Sequence, residues 1–147
     1  MGANINQLRD QFIEDVMEAL YPVLDALDEA NTKVQDVLAS GGIITEIQEG
    51  NFLFEVIHAN VLGHDLLNIK YTLPWDQYNR MKGSYASKIG LNLEHLAEYY
   101  QNAHLEDNGI PIKSFEDELI SYIIMDTDIG VDPSEEGLVF TGHVGFV

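Results

Sequence analysis

The sequence predicts an α+β fold: a long kinked N-terminal helix packed on a small antiparallel sheet (a meander over 43–73), then two or three shorter helices and a C-terminal strand. Three observations predict it. Apolar residues recur on a heptad between Ile13 and Val37, the period of a helix with one buried stripe. They switch to strict alternation over 67–73, the period of a half-buried strand. Glycine, proline and asparagine fall between the patterned stretches, where turns belong. With 147 residues and an apolar share of 46%, the chain is expected to form one acidic domain with a core of its own.

The helix comes first. Asn4 and Gln7 form a capping pair at its start. One heptad column holds Ile13, Leu20, Leu27 and Val34, and the other Val16, Val23, Ala30 and Val37. Met17, Leu24 and Leu38 on one flank, and Phe12, Ala19 and Ala26 on the other, widen the stripe. That width suits packing within the domain or in an oligomeric bundle better than a bare two-stranded coil. Glu14, Asp15, Glu18, Asp25, Asp28, Glu29 and Asp36 fall on the opposite face. Pro22 also falls there, where water can satisfy the carbonyl it leaves free, so a kink is expected rather than a break. Ser40-Gly41-Gly42 ends the helix.

The strands follow. Residues 43–49 and 52–59 read as strands joined at Gly50-Asn51. Residues 60–65 read as a longer turn, and Leu67, Ile69, Tyr71 and Leu73 as a third strand ended by Pro74. Consecutive strands this close in sequence pair as an antiparallel meander. A helix is predicted from Trp75 to Lys82, with Gly83 and Gly90 as punctuation, and a second over 93–106, capped by Asn92 and ended by Asn108-Gly109. Ser114 with Asp117 opens a short helix to about Ile124. Residues 125–136 read as an acidic loop and 138–147 as a strand able to join the sheet.

Seven basic residues face twenty-five acidic ones, a net charge of −18. Nucleic acid and anionic membrane surfaces repel such a chain, and basic proteins attract it. The charge is uneven. Residues 1–40 carry eight acids and two bases, 106–136 ten acids and one base, and 66–92 one acid and four bases. No apolar run approaches a membrane span. No signal-peptide pattern opens the chain, and it has no cysteine, which fits a cytoplasmic protein, or the host cytoplasm for a viral one.

Local motifs are weaker. Ala86-x-x-x-Gly90-Leu91-Asn92-x-x-x-Leu96 resembles a helix-turn-helix corner, but the second helix would bring Glu94 and Glu98 to the phosphates. No direct nucleic-acid binding is therefore expected. Glu55-Val-Ile-His58 has the Glu-x-x-His spacing of di-iron sites without the second copy such sites need. His58, His64 and Asp65 are weak zinc candidates if the 60–65 turn folds back. Asp126, Asp128, Gly130 and Asp132 imitate a calcium loop, but the chain departs from that pattern at Gly130, Val131 and Gly137. No nucleophile elbow or phosphate-cradling loop is present, and no cofactor is expected.

The charge placement therefore carries the functional expectation. Glu14 to Asp36 would span ~33 Å of helix, long enough to imitate a row of phosphates. The expected partner is a basic protein, one whose groove normally holds nucleic acid. Glu116, Asp117, Asp126 and Asp128 would supply further acids to the same partner. In size and charge, though in no motif, the chain resembles the small acidic inhibitors that phages and mobile elements direct at nucleases. Two other readings compete. One is an assembly subunit, for example of a virus particle, oligomerising through the heptad stripe. The other is a metal-dependent enzyme.

Overall fold

A computed structural model describes residues 4–107 and 109–146, and their side chains except at 59–61, 64–66, 126 and 144–146. The fold is α+β, with a long N-terminal helix, a five-stranded antiparallel sheet, three further helices and a short hairpin. Its chain divides into two compact units. Unit 1 takes the chain through Leu20 together with Trp75–Thr127, and unit 2 takes Tyr21–Pro74 and the chain from Asp128 on.

Helix α1 (Ile5–Ala39) runs through Pro22 without a break, and Pro22 is exposed. Asn4 and Gln7 cap it reciprocally, at 2.9 and 3.3 Å. At its end Gly41 takes a left-handed φ of 80°, Gly41 donates to Leu38 and Gly42 to Val37. That pair of bonds satisfies two of the last carbonyls and stops the helix. Both heptad columns are buried except at Val37, which is half-buried.

In unit 2 the sheet order is β1-β2-β3-β7-β6. The meander β1 (Glu46–Glu49), β2 (Phe52–Val61) and β3 (His64–Pro74) forms as expected. Two details differ. The first strand starts at Glu46 rather than 43, and the expected long turn at 60–65 is a two-residue turn. Val61 pairs with His64, and Leu62 and Gly63 both take positive φ (52° and 83°). Left-handed backbone at both central positions matches the twist of the flanking strands. A leucine there gives no turn signal in the sequence, and this one is 94% exposed.

The C-terminal strand β7 (Gly137–Phe146) lies beside β3 in antiparallel register, from Pro74 opposite Gly137 to Leu66 opposite Phe146. A bulge interrupts the pairing between Leu67 and Asn68. Within the expected acidic loop 125–136, Gly130–Pro133 pairs with β7 as edge strand β6. Its local composition reads as loop, and pairing with a distant strand decides otherwise. The core face carries Phe54, Val56, Leu67, Ile69, Leu73, Leu138, Phe140 and Val131, all buried. Helix residue Leu27 packs directly on it: a Cβ on Gly142 would lie 2.5 Å from Leu27 Cδ2. Asn31 Nδ2 donates to the His143 carbonyl at 3.1 Å.

In unit 1, α2 (Trp75–Ile89) continues through Gly83, where a stop was expected. One glycine costs a helix only about 1 kcal/mol, and buried Tyr78 and Ala86 on either side hold the register. Trp75 packs edge-on against Tyr78, with ring centroids 5.7 Å apart. Gly90 (φ 71°) closes α2 with the same pair of bonds seen in α1, from Leu91 to Ala86 and from Gly90 to Ser87. Asn92 Oδ1 then caps α3 (Leu93–Asn102), accepting from Glu94 N at 2.8 Å and His95 N at 3.3 Å.

The helix expected over 93–106 stops at Asn102. Leu105–Asp107 is instead strand β4, paired with β5 (Ile110–Ile112). The expected stop at Asn108 lies outside the described residues. Ser114 caps α4 (Phe115–Asp126) by accepting from Asp117 N at 3.1 Å. Phe12 stacks on Phe115 with ring centroids 4.6 Å apart.

Candidate functional site

On α1 the acidic residues sit where the heptad places them. Glu14 and Glu18 in unit 1, and Asp25, Asp28, Glu29 and Asp36 in unit 2, are exposed. Asp15 is half-buried and accepts from Gln11 Nε2 at 3.0 Å. Among the described residues none of these seven forms an ion pair. Arg9, Lys33, Lys70 and Lys82 pair with other acids. Lys33, on the same helix, pairs with Glu49, and this hydrogen bond raises its pKa. Lys70 pairs with Glu55 at 3.7 Å across β2 and β3.

The acids expected to extend this surface are divided. Glu116 is half-buried and ion-paired with Lys82, whose ammonium also lies 4.6 Å from the Tyr78 ring centroid. Asp117 is exposed and caps its own helix entry, its Oδ2 accepting from Lys113 N at 3.2 Å. Asp128 is exposed. The side chain of Asp126, at the end of α4, lies outside the described residues.

A buried polar cluster in unit 1 gave no signal in the sequence. Glu118 is only 6% exposed. Its Oε2 accepts from Tyr100 Oη at 2.7 Å, and its Oε1 lies 3.8 Å from Arg9 Nε. Arg9 Nη1 donates to Tyr99 Oη at 2.6 Å, and the guanidinium carbon lies 5.2 Å from that ring's centroid. Burial works against the charge on Arg9, but its bond to Asp10 and the nearby Glu118 outweigh it and raise its pKa. Burial, reinforced by the bond to Glu118, pushes the Tyr100 hydroxyl pKa up. Burial does the same to Tyr78, with Glu116 adding to it. The Tyr78 hydroxyl makes no hydrogen bond among the described residues. Glu118 follows two other acids in sequence, so it reads as a solvated charge until tertiary packing covers it.

Clefts open on unit 1 among the described residues. One of about 570 Å³ is lined by Tyr100, His104, Leu105, Glu106, Ile112 and Lys113 among others. A smaller one of about 290 Å³ lies over Phe12, Leu96 and Phe115. A third, of about 550 Å³, runs between the β4–β5 hairpin and α4.

His58 is exposed on β2, opposite Leu67, and the side chains of His64 and Asp65 lie outside the described residues. The chain turns back in this segment at Leu62-Gly63. Among the described residues no group of three or more His, Asp or Glu side chains is placed to hold a metal ion. In the helix-turn-helix-like corner Ala86, Leu91 and Leu96 are buried, while Glu94, His95 and Glu98 point outward. Those outward acids put negative charge on the exposed face of α3. No described helix is long and apolar enough to cross a membrane. The heptad stripe is consumed by the chain's own core, with Val16, Leu20, Leu27, Ala30 and Val34 at most 1% exposed. No protein-family model, curated protein or solved structure matches this chain.

Proposed function

We propose that this chain is a protein-binding module whose exposed acids on α1 engage a basic partner, one whose groove normally receives nucleic acid. The observation that carries the reading lies within unit 2. Asp25, Asp28, Glu29 and Asp36 follow the i, i+3, i+4, i+11 spacing of one helix face, all are exposed, and none is ion-paired among the described residues. They span ~16 Å of helix axis. Like charges at this spacing each cost a helix about 0.2–0.5 kcal/mol, and no basic residue offsets the last turn of α1. Lys33 stands four residues after Glu29 and is attracted to it, but its ion pair is with Glu49. A row of carboxylates fits a basic groove, with fast association and steep salt dependence.

The test is a pull-down from extract of the cells that express the protein, run as a salt series. Raising salt from about 50 to about 200 mM should release the partner, with affinity falling about tenfold or more. The triple variant D25K/D28K/E29K should lose the partner while keeping its thermal melt, because these side chains touch nothing in the core. A partner retained through both changes overturns the reading.

A further inference from the structure

We infer that the cleft between β5 and α4 is a second docking surface, built for a basic amphipathic helix of a partner protein. It lies wholly within unit 1 and uses none of the α1 acids. Its walls are Ile110, Ile120, Ile124 and Met125, and three of these project into solvent to an extent that burial elsewhere does not explain: Ile110 is 69%, Ile124 51% and Met125 71% exposed. Exposed aliphatic side chains scattered singly need no explanation, but three around one cleft of about 550 Å³ form a ready apolar seat. Methionine adapts its shape to whatever enters such a seat.

The charge around the seat selects the occupant. Two acids line it: Asp107, whose Oδ2 accepts from Ser121 Oγ at 2.7 Å, and Asp117, whose Oδ2 accepts from the Lys113 backbone N–H. Both carboxylates are thus held in the lining with acceptor capacity to spare. The last turn of α4 carries no basic residue, so its carbonyl end adds negative potential beside Met125. Lys113 also lines the cleft, beside Asp117, and offsets these in part. An apolar side chain flanked by Lys or Arg satisfies this pattern, and one flanked by acids does not.

The backbone selects the occupant's conformation. A guest strand would have to pair with β5, but β5 is three residues long and its middle residue, Pro111, has no N–H to give. A helix needs no such pairing and anchors through side chains one turn apart.

The probe is a synthetic helical peptide of about five turns, with leucines on one stripe and lysines elsewhere. Two controls accompany it: a scrambled peptide of the same composition, and one with glutamate for every lysine. Methyl NMR of the full chain reads the result. The striped basic peptide should move the methyls of Ile110, Ile120, Ile124 and Met125 saturably, and both controls should bind about tenfold more weakly. Ile124→Ser with Met125→Gln should weaken the peptide about tenfold without lowering the thermal melt, since both side chains are already exposed. Equal binding of the scrambled peptide overturns the inference, because attraction by net charge alone would then suffice. So do methyl shifts that follow protein concentration without peptide, which would make a second copy the occupant. D25K/D28K/E29K should bind the striped peptide through the same methyls, which separates failure here from failure of the α1 reading.

Discussion

Unit 2 closes around shape, whereas unit 1 also closes around charge. In unit 2, Leu27 reaches the sheet only because Gly142 has no side chain, and β7 approaches β3 so closely at Gly137 that a Cβ there would lie 1.9 Å from the Leu73 carbonyl oxygen. Its ion pairs, Lys33–Glu49 and Lys70–Glu55, lie at the surface, where such pairs contribute little. In unit 1 the same helix α1 supplies Arg9 to a buried cluster with Glu118 and Tyr100. The difference teaches where each unit is fragile. A methyl group in the wrong place breaks the first, and a missing partner for a buried charge breaks the second.

Substitutions sharpen this contrast, beginning with the largest effect. Gly137→Ala must push backbone against backbone, and we expect a loss on the order of 4 kcal/mol or more in urea melts followed by circular dichroism. Gly142→Ala meets only the flexible end of Leu27 and should cost about 1–3 kcal/mol. Equal costs at the two positions would refute the claim that close backbone approach decides unit 2.

Arg9→Met leaves Glu118 buried without its cation and should cost about 3 kcal/mol. Adding Glu118→Leu to that variant should recover much of the loss, since both charges then leave the interior together. If the double variant is worse than Arg9→Met alone, the cluster is held by packing and not by charge.

The smallest effects come from two tyrosines with opposite signs. Tyr100→Phe removes the donor to Glu118 and should cost about 1–3 kcal/mol, while Tyr78→Phe deletes a hydroxyl that has no partner among the described residues and should be neutral or slightly stabilising. Both hydroxyls have raised pKa values in the folded chain, so the fold keeps their protons where the unfolded chain releases them. The pair leaves stability unchanged below the ordinary tyrosine pKa of 10.0 and lowers it as pH rises above that value, where only the unfolded chain ionises freely. Tyrosinate absorbance should therefore show two residues ionising only with unfolding, and the melting temperature should fall above about pH 10 less steeply in the double phenylalanine variant.

Local period made much of this fold legible. The heptad places α1 and its buried stripe, alternation places β3, and Asn92 and Ser114 announce the starts of α3 and α4. Non-local contacts decide the remainder. Leu105–Asp107 continues a helical spacing with no breaker in it, and three residues are too few to display alternation. Gly130–Pro133 has loop composition and becomes a strand only beside β7. Leu62 stands where a turn of this kind normally shows asparagine or glycine. The candidate surfaces divide the same way. Outward acids on α1 follow from the heptad, but the coupling of Glu116 to Lys82, the burial of Glu118 and the apolar cleft beside Met125 depend on elements far apart in sequence.

Trp75, packed edge-on against Tyr78, is the chain's one tryptophan, and it belongs to unit 1. Its emission therefore watches the helical unit, while the β-sheet part of the far-ultraviolet signal comes chiefly from the other. Recorded together during one denaturation, the two signals form a built-in two-channel reporter. They tell whether the two units lose their structure in one step or in two, with no label added.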